Sequence, residues 1–159
     1  MAYSVSRRAR SRRKNRSVDS GAARSFSTLS GLSTRSVAEL LVEVGDVRRF
    51  TEGGFARFNG SAPLPASTAE GPGEPIRHRY NPGGNRRVNA ILHRMAVTQL
   101  RREPRAQRIY QGARANGHTK KEARRVLKRH LSDVIYRRMI RDLAAADRGS
   151  LPAQPLLAA

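Results

Sequence analysis

Residues 59–87 read NGSAPLPASTAEGPGEPIRHRYNPGGNRR, and what this stretch is decides how the chain folds. Pro, Gly and small polar residues punctuate it throughout, so it carries neither the period of a helix nor that of a strand. It reads as a long loop, and a loop of this length inside a compact chain is either functional or disordered. On its left lies a short apolar segment, and on its right a long basic half with helical periodicity. The expected fold is mainly α: a small helical segment, a long Pro/Gly-rich loop, then a basic three-helix C-terminal half.

The right half is the more regular. Asn85 follows Gly83 and Gly84 and can cap a helix in which Val88, Ile91, Leu92, Met95 and Ala96 form one apolar stripe. That helix is expected to reach about Arg102, before Pro104 opens the next one. There Ala106, Ile109, Tyr110 and Ala113 make the stripe, and Gly117 sits where a terminating glycine belongs. Thr119 and Glu122 have the spacing of a capping box and open the longest helix, to about Ala145, with Val126, Leu127, Leu131, Val134, Ile135 and Met139 facing inward. Its outward face is expected to carry Arg124, Arg125, Lys128, Arg129, Arg137 and Arg141, and at this overall charge the face, Arg124, Arg125, Lys128 and Arg129 above all, reads as a nucleic-acid-binding surface that contacts phosphates. The segment from residue 146 to 159 reads as a flexible tail.

Left of the loop, Ser36 and Glu39 also have capping-box spacing, so a helix is expected to start near Val37, bury Leu40, Leu41 and Val44, and stop at Gly45. A second short helix over residues 47–58 adds Phe50, Phe55 and Phe58 to the same small core. Glu39 and Glu43 share a helical face. With no histidine near them in the sequence, they read as a solvated acidic surface rather than as a metal or acid-base pair. Residues 1–30 hold many Arg and Ser and almost no apolar periodicity, so they read as a disordered basic leader, either a nucleic-acid-binding arm, an organelle or nuclear address, or a solvated tail.

The whole chain of 159 residues has 32 Lys plus Arg against 12 acids, a formal charge of +20 and a pI near 11.8. Such a balance points to a polyanionic partner, nucleic acid before an anionic membrane surface. The basic helix has no bulky aromatic face to insert, and no apolar run approaches a membrane span, which argues against a membrane partner. There is no cysteine, so disulfides, Cys-type zinc sites and a thiol nucleophile are excluded together. The four histidines, His78, His93, His118 and His130, share no ligand spacing, so no metal site built by this chain alone is expected. What remains is the loop. Arg77, Arg79, Arg86 and Arg87 flank a glycine turn that runs into a helix N-terminus at Asn85, an arrangement suited to holding a phosphodiester.

Taken together, GLSTRSVAELLVEVGDVRRF, FNGSAPLPAST, RHRYNPGGNRRVNAILHRMAVTQ and GHTKKEARRVLKRHLSDVIYRRMIRD resemble, in order and spacing, the C-terminal domain of transposases of the insertion sequence 110, 116 and 902 family. The resemblance runs from about Gly31 to Leu143. It implies that residues 31–58 are helix-hairpin-helix-like, with Ser33 where a second hairpin glycine is commoner. It also implies that residues 59–84 form an active-site loop, followed by helices over residues 85–145. Ser67, followed by Thr68, stands where the family has its DNA nucleophile, which forms a covalent phosphoserine intermediate; Ala69 stands where the family has glycine.

The resemblance further implies a bacterial, cytoplasmic and nucleoid-associated protein that works on DNA with a structured guide RNA and assembles as a homo-oligomer when full length. Mg2+ would come from an acidic resolvase-like N-terminal domain, which residues 1–30 do not resemble. The expectation is therefore a truncated transposase that binds no cofactor by itself and is inactive or nearly so alone. The alternative from a different class is a non-catalytic basic nucleic-acid-binding module.

Overall fold

The computed structural model describes residues 25–26, 28–65, 78–79 and 81–149. The first helix, α1 (Thr34–Val44), starts three positions before the expected Val37, because Ser33 rather than Ser36 is its cap. Ser33 is extended and its hydroxyl accepts from the Ser36 N–H at 3.2 Å. Starting there turns Val37, Leu40 and Val44 into the core, and Gly45, with φ +63°, ends the helix as expected. Ser36 becomes a buried first-turn residue instead of a cap. The leader expected to be disordered through Ser30 contributes to the fold at its end, since Phe26 is fully buried in the core. Residues 1–24 lie outside the described residues.

The next segment is split where one helix was expected. Asp46 caps a 3-10 turn at Val47–Arg49, and Thr51 caps a separate helix, α2 (Glu52–Phe58), by accepting from the Gly54 N–H. The break lets Phe50, Phe55 and Phe58 gather, Phe50 edge-on to Phe55, with Tyr136 added from the far end of the chain. On the right half the expectations hold closely. Asn85 caps α3 (Arg86–Arg102), and its apolar stripe is wholly buried. Pro104 opens α4 (Pro104–Ala115), with Gly117 beyond its end at φ +85°.

Thr119 and Glu122 exchange the two bonds of a capping box ahead of α5 (Lys120–Gly149), which runs past the expected end near Ala145. The fold is thus mainly helical, with five α-helices among the described residues. Helix α5 is the spine: α2, α3 and α4 all pack on it, and α3 in turn holds α1. None of these helices is long and apolar enough to cross a membrane.

Between α2 and α3 the two ends of the loop run antiparallel. Two short strands, β1 (Leu64–Pro65) and β2 (His78–Arg79), pair with Leu64 opposite Arg79 and Pro65 opposite His78. The segment that reads as a long loop by composition therefore leaves and rejoins the helical body at one place, as a stem.

Candidate functional site

The stem is fixed at its base by backbone contact. Gly60 has φ +73°, and Gly84 lies against it so closely that a Cβ on Gly84 would sit 2.3 Å from the Gly60 nitrogen. Two chains approach this closely only where neither carries a side chain. Hydrogen bonds close the rest of the base: the Asn85 N–H donates to the Phe58 carbonyl at 2.6 Å, and the Asn81 amide donates to the Arg57 carbonyl at 3.2 Å. Below the glycines lies Asn59, fully buried. Its amide donates to Ser132 Oγ at 2.8 Å, its side-chain oxygen accepts from the Ser61 N–H, and its carbonyl accepts from Asn89 Nδ2 at 2.7 Å. A buried amide with every group paired holds a backbone in one arrangement, because any other leaves polar atoms unsatisfied.

Helix α3 begins at this base, and its N-terminus is not an open anion cradle. Asn85 Oδ1 accepts from the Arg87 and Val88 N–H groups at 3.0 Å each, so the side chain itself fills the donors expected to meet a phosphate. Asn85 Nδ2 and Arg87 Nη1 then each donate at 2.8 Å to the Glu43 carboxylate of α1. Glu43 is thus tied to a basic helix, while Glu39, more exposed, lies 3.9 Å from the Arg94 guanidinium. The bond from Asn85, then that from Arg87, holds the Glu43 carboxyl below the usual carboxylate range. A carboxyl lowered in the folded state contributes stability that is complete above its ordinary value and is lost as pH falls through the lowered one. Glu43→Gln is therefore expected to flatten the acid limb of the stability profile, measured by urea unfolding over a series of acidic pH values. Equal acid slopes in the two proteins would show that this carboxylate does not hold α1 to α3.

The expected site residues are described only in part. Ser67 and Arg77, with Thr68 and Ala69, lie outside the described residues, and Arg79 is described as a backbone position in β2. The Arg86 guanidinium is exposed and pairs with nothing among the described residues, whereas Arg87 is tied to Glu43. On α5, Arg125 is exposed and Arg124 is half-buried. Lys128, expected on the outward face, is instead buried: its Nζ reaches across the helix seam to Asn89 Oδ1 at 2.5 Å. Arg129 is half-buried and paired with Asp133 one turn on, so its charge is already met. Arg137 pairs with Glu52 of α2 at 2.9 Å. Among the described residues no three of His, Asp or Glu converge on a common point that could hold a metal ion.

Of the residues that organise the stem, Gly84 reads in the sequence only as part of the turn before the Asn85 cap, and Asn59, Gly60 and Asn89 carry no assigned role. Their signal is faint: an Asn-Gly pair at the loop's start, a Gly-Gly pair at its end, and an Asn four residues into the helix from the Asn cap. Each marks a turn or a cap by itself, and only the fold joins them.

No curated protein matches the chain significantly. Among protein families, the one described as Transposase IS116/IS110/IS902 family matches residues 23–111, more than half of the chain. The match begins before Gly31, where Phe26 enters the core, and spans α1, α2, the stem, α3 and most of α4. It stops short of the capping box at Thr119, so the last of the four resembling blocks lies beyond it. Over the segments that build the stem and the helices around it, then, this chain belongs to the transposase family of insertion sequences IS116, IS110 and IS902.

Proposed function

We propose that this chain binds nucleic acid and supplies Ser67 as the nucleophile for DNA strand exchange in insertion-sequence transposition. A transposition-related function follows from the family; the serine step is our reading. The observation that carries it is the stem. Residues on both sides of Ser67 leave the helical body through one base, fixed at Gly60 and Gly84, which is how a fold presents a reactive loop from a rigid support. In the reaction, Ser67 Oγ forms a bond to a backbone phosphorus as its proton passes to a base. The ester bond to the departing strand breaks and that strand's oxygen leaves as a hydroxyl. Attack by a hydroxyl of the incoming strand reverses the step and frees the serine. Arg77, Arg79, Arg86 and Arg125 supply positive charge along the DNA path, with a structured guide RNA and a homo-oligomer as further partners.

Mg2+ enters this reading through the acidic N-terminal domain that the family resemblance implies. The test is a covalent trap: the chain is mixed with the acidic domain of a family relative, Mg2+ and radiolabelled DNA ends, then denatured and resolved by size. A DNA adduct is expected with the wild type and its complete loss with Ser67→Ala. Equal signals from the two proteins would remove Ser67 from the chemistry. The second reading, a nucleic-acid-binding module without catalysis, is favoured by Ala69 in place of the family's glycine and predicts binding without any adduct.

A further inference from the structure

Lys128 is 8% exposed, yet its ammonium has a single neutral acceptor, Asn89 Oδ1, and no carboxylate pairs with it among the described residues. One turn earlier on α5, Arg124 Nε is shut off from solvent and has no hydrogen-bond partner. Across the seam, His93 stands one turn after Asn89 on α3. Its imidazole is held below its ordinary value by partial desolvation and then by the charges of Lys128 and Arg124, so the three groups lie within one another's field. Lys128 is itself pushed down by burial and then by Arg125. Removing an ammonium from water without a counter-charge is costly. A structural brace between α3 and α5 would be made more cheaply by an amide or a hydroxyl. A cation is warranted there when a ligand brings the negative charge.

We propose that the α3–α5 seam at Asn89, His93, Arg124 and Lys128 is a binding site for a phosphodiester oxyanion of a nucleic-acid backbone. This deepens the nucleic-acid-binding reading above and rests on it. An ammonium has three donors, and Asn89 takes one, leaving two for an oxyanion. The Arg124 guanidinium adds a second positive charge from the same face of α5, close enough to act on His93. The site is joined to the loop: Asn89, which accepts from Lys128, donates through its amide to the Asn59 carbonyl at the base of the stem. An anion held here is therefore one side chain away from the support of the segment that carries Ser67.

The experiment uses the whole chain with a short fluorescent duplex DNA and, in a parallel arm, a duplex RNA of the same sequence. Affinity is measured across a KCl series, and the His93 titration is followed by NMR with and without the oligonucleotide. Lys128→Met and Arg124→Gln should each make the slope of log affinity against log salt shallower by about one, while Lys128→Arg, which keeps the charge, should leave it unchanged. Binding should also raise the His93 pKa, because the phosphate offsets the two cations that depress it; a purely structural lysine would not produce that shift. An effect confined to one arm names DNA or RNA as the source of the phosphodiester. Should Lys128→Met fail to fold, Arg124→Gln and the His93 titration decide the matter. If the wild type binds but the variants keep its slope and His93 does not move, this site is refuted while nucleic-acid binding stands. If the wild type binds neither probe, both readings fall.

Discussion

Gly84→Ala is expected to cost about 3 kcal/mol, the upper end of what overpacking usually costs, although it adds only one methyl group at a half-exposed position. The new Cβ would lie 2.3 Å from the Gly60 nitrogen and 2.4 Å from its Cα, and both are backbone atoms that no rotamer change can move aside. Relief requires the two arms of the stem to part, which breaks the bond from the Asn85 N–H to the Phe58 carbonyl and the bond from Asn89 to the Asn59 carbonyl. Gly83→Ala is the control: its Cβ would meet only Asn81 Oδ1, at an ordinary 3.5 Å. That variant should stay within about 0.5 kcal/mol of wild type. Urea unfolding gives the size of the effect, and hydrogen exchange places it, with faster exchange expected at residues 59–62 and 85–89 and not along α4. If the two alanines prove equally mild, the stem is not held by this contact. In the covalent trap, Gly84→Ala should lower adduct formation with Ser67 itself untouched.

Phe55→Ala should be the most damaging single truncation, at about 3–5 kcal/mol. Phe55 is fully buried at the centre of the aromatic cluster, with the Phe50 ring edge-on at 6.0 Å and the Tyr136 ring at 5.8 Å. Because α2 has only seven residues, it has little helical stability of its own and is held by this packing on α5. Loss of the ring also loosens the Phe50 carbonyl that accepts from the Tyr136 hydroxyl at 2.8 Å. Since a domain of this kind is stable by only about 5–15 kcal/mol, the variant should melt far below wild type or fail to fold at ordinary temperature. A loss under about 1 kcal/mol, measured calorimetrically, would mean that the cluster is a surface feature.

The local rules of the sequence located the three C-terminal helices closely, because caps and stripes are set by residues a few positions apart. Asn85, Pro104 and the Thr119–Glu122 box did what their chemistry dictates. The first helix was misplaced because Ser33 and Ser36 both suit a cap. Ser33 takes the role, Val37 is buried in the first turn, and Glu39 is turned toward Arg94 instead of the cap. Glu43 and Lys128 were misread for one shared reason. A charged residue on a helical pattern is assigned to solvent unless its partner is visible, and the partners, Arg87 and Asn89, come from distant parts of the chain. Arg129 is different, since Asp133 stands four positions on and the pair was legible in the spacing. Ser67 was singled out by family likeness alone; no periodicity distinguishes it from the other hydroxyls of its loop.

The glycine contact under the loop also separates two kinds of cost. The entropy of closing a loop rises only slowly with its length, by about 0.6 kcal/mol for each doubling. Once Gly60 and Gly84 meet and β1 pairs with β2, the helices below do not register how many residues lie beyond Pro65 and before His78. Residues 66–77 can therefore be lengthened, shortened or exchanged while the scaffold keeps its stability, so that this segment can vary in sequence without the fold first being repaired.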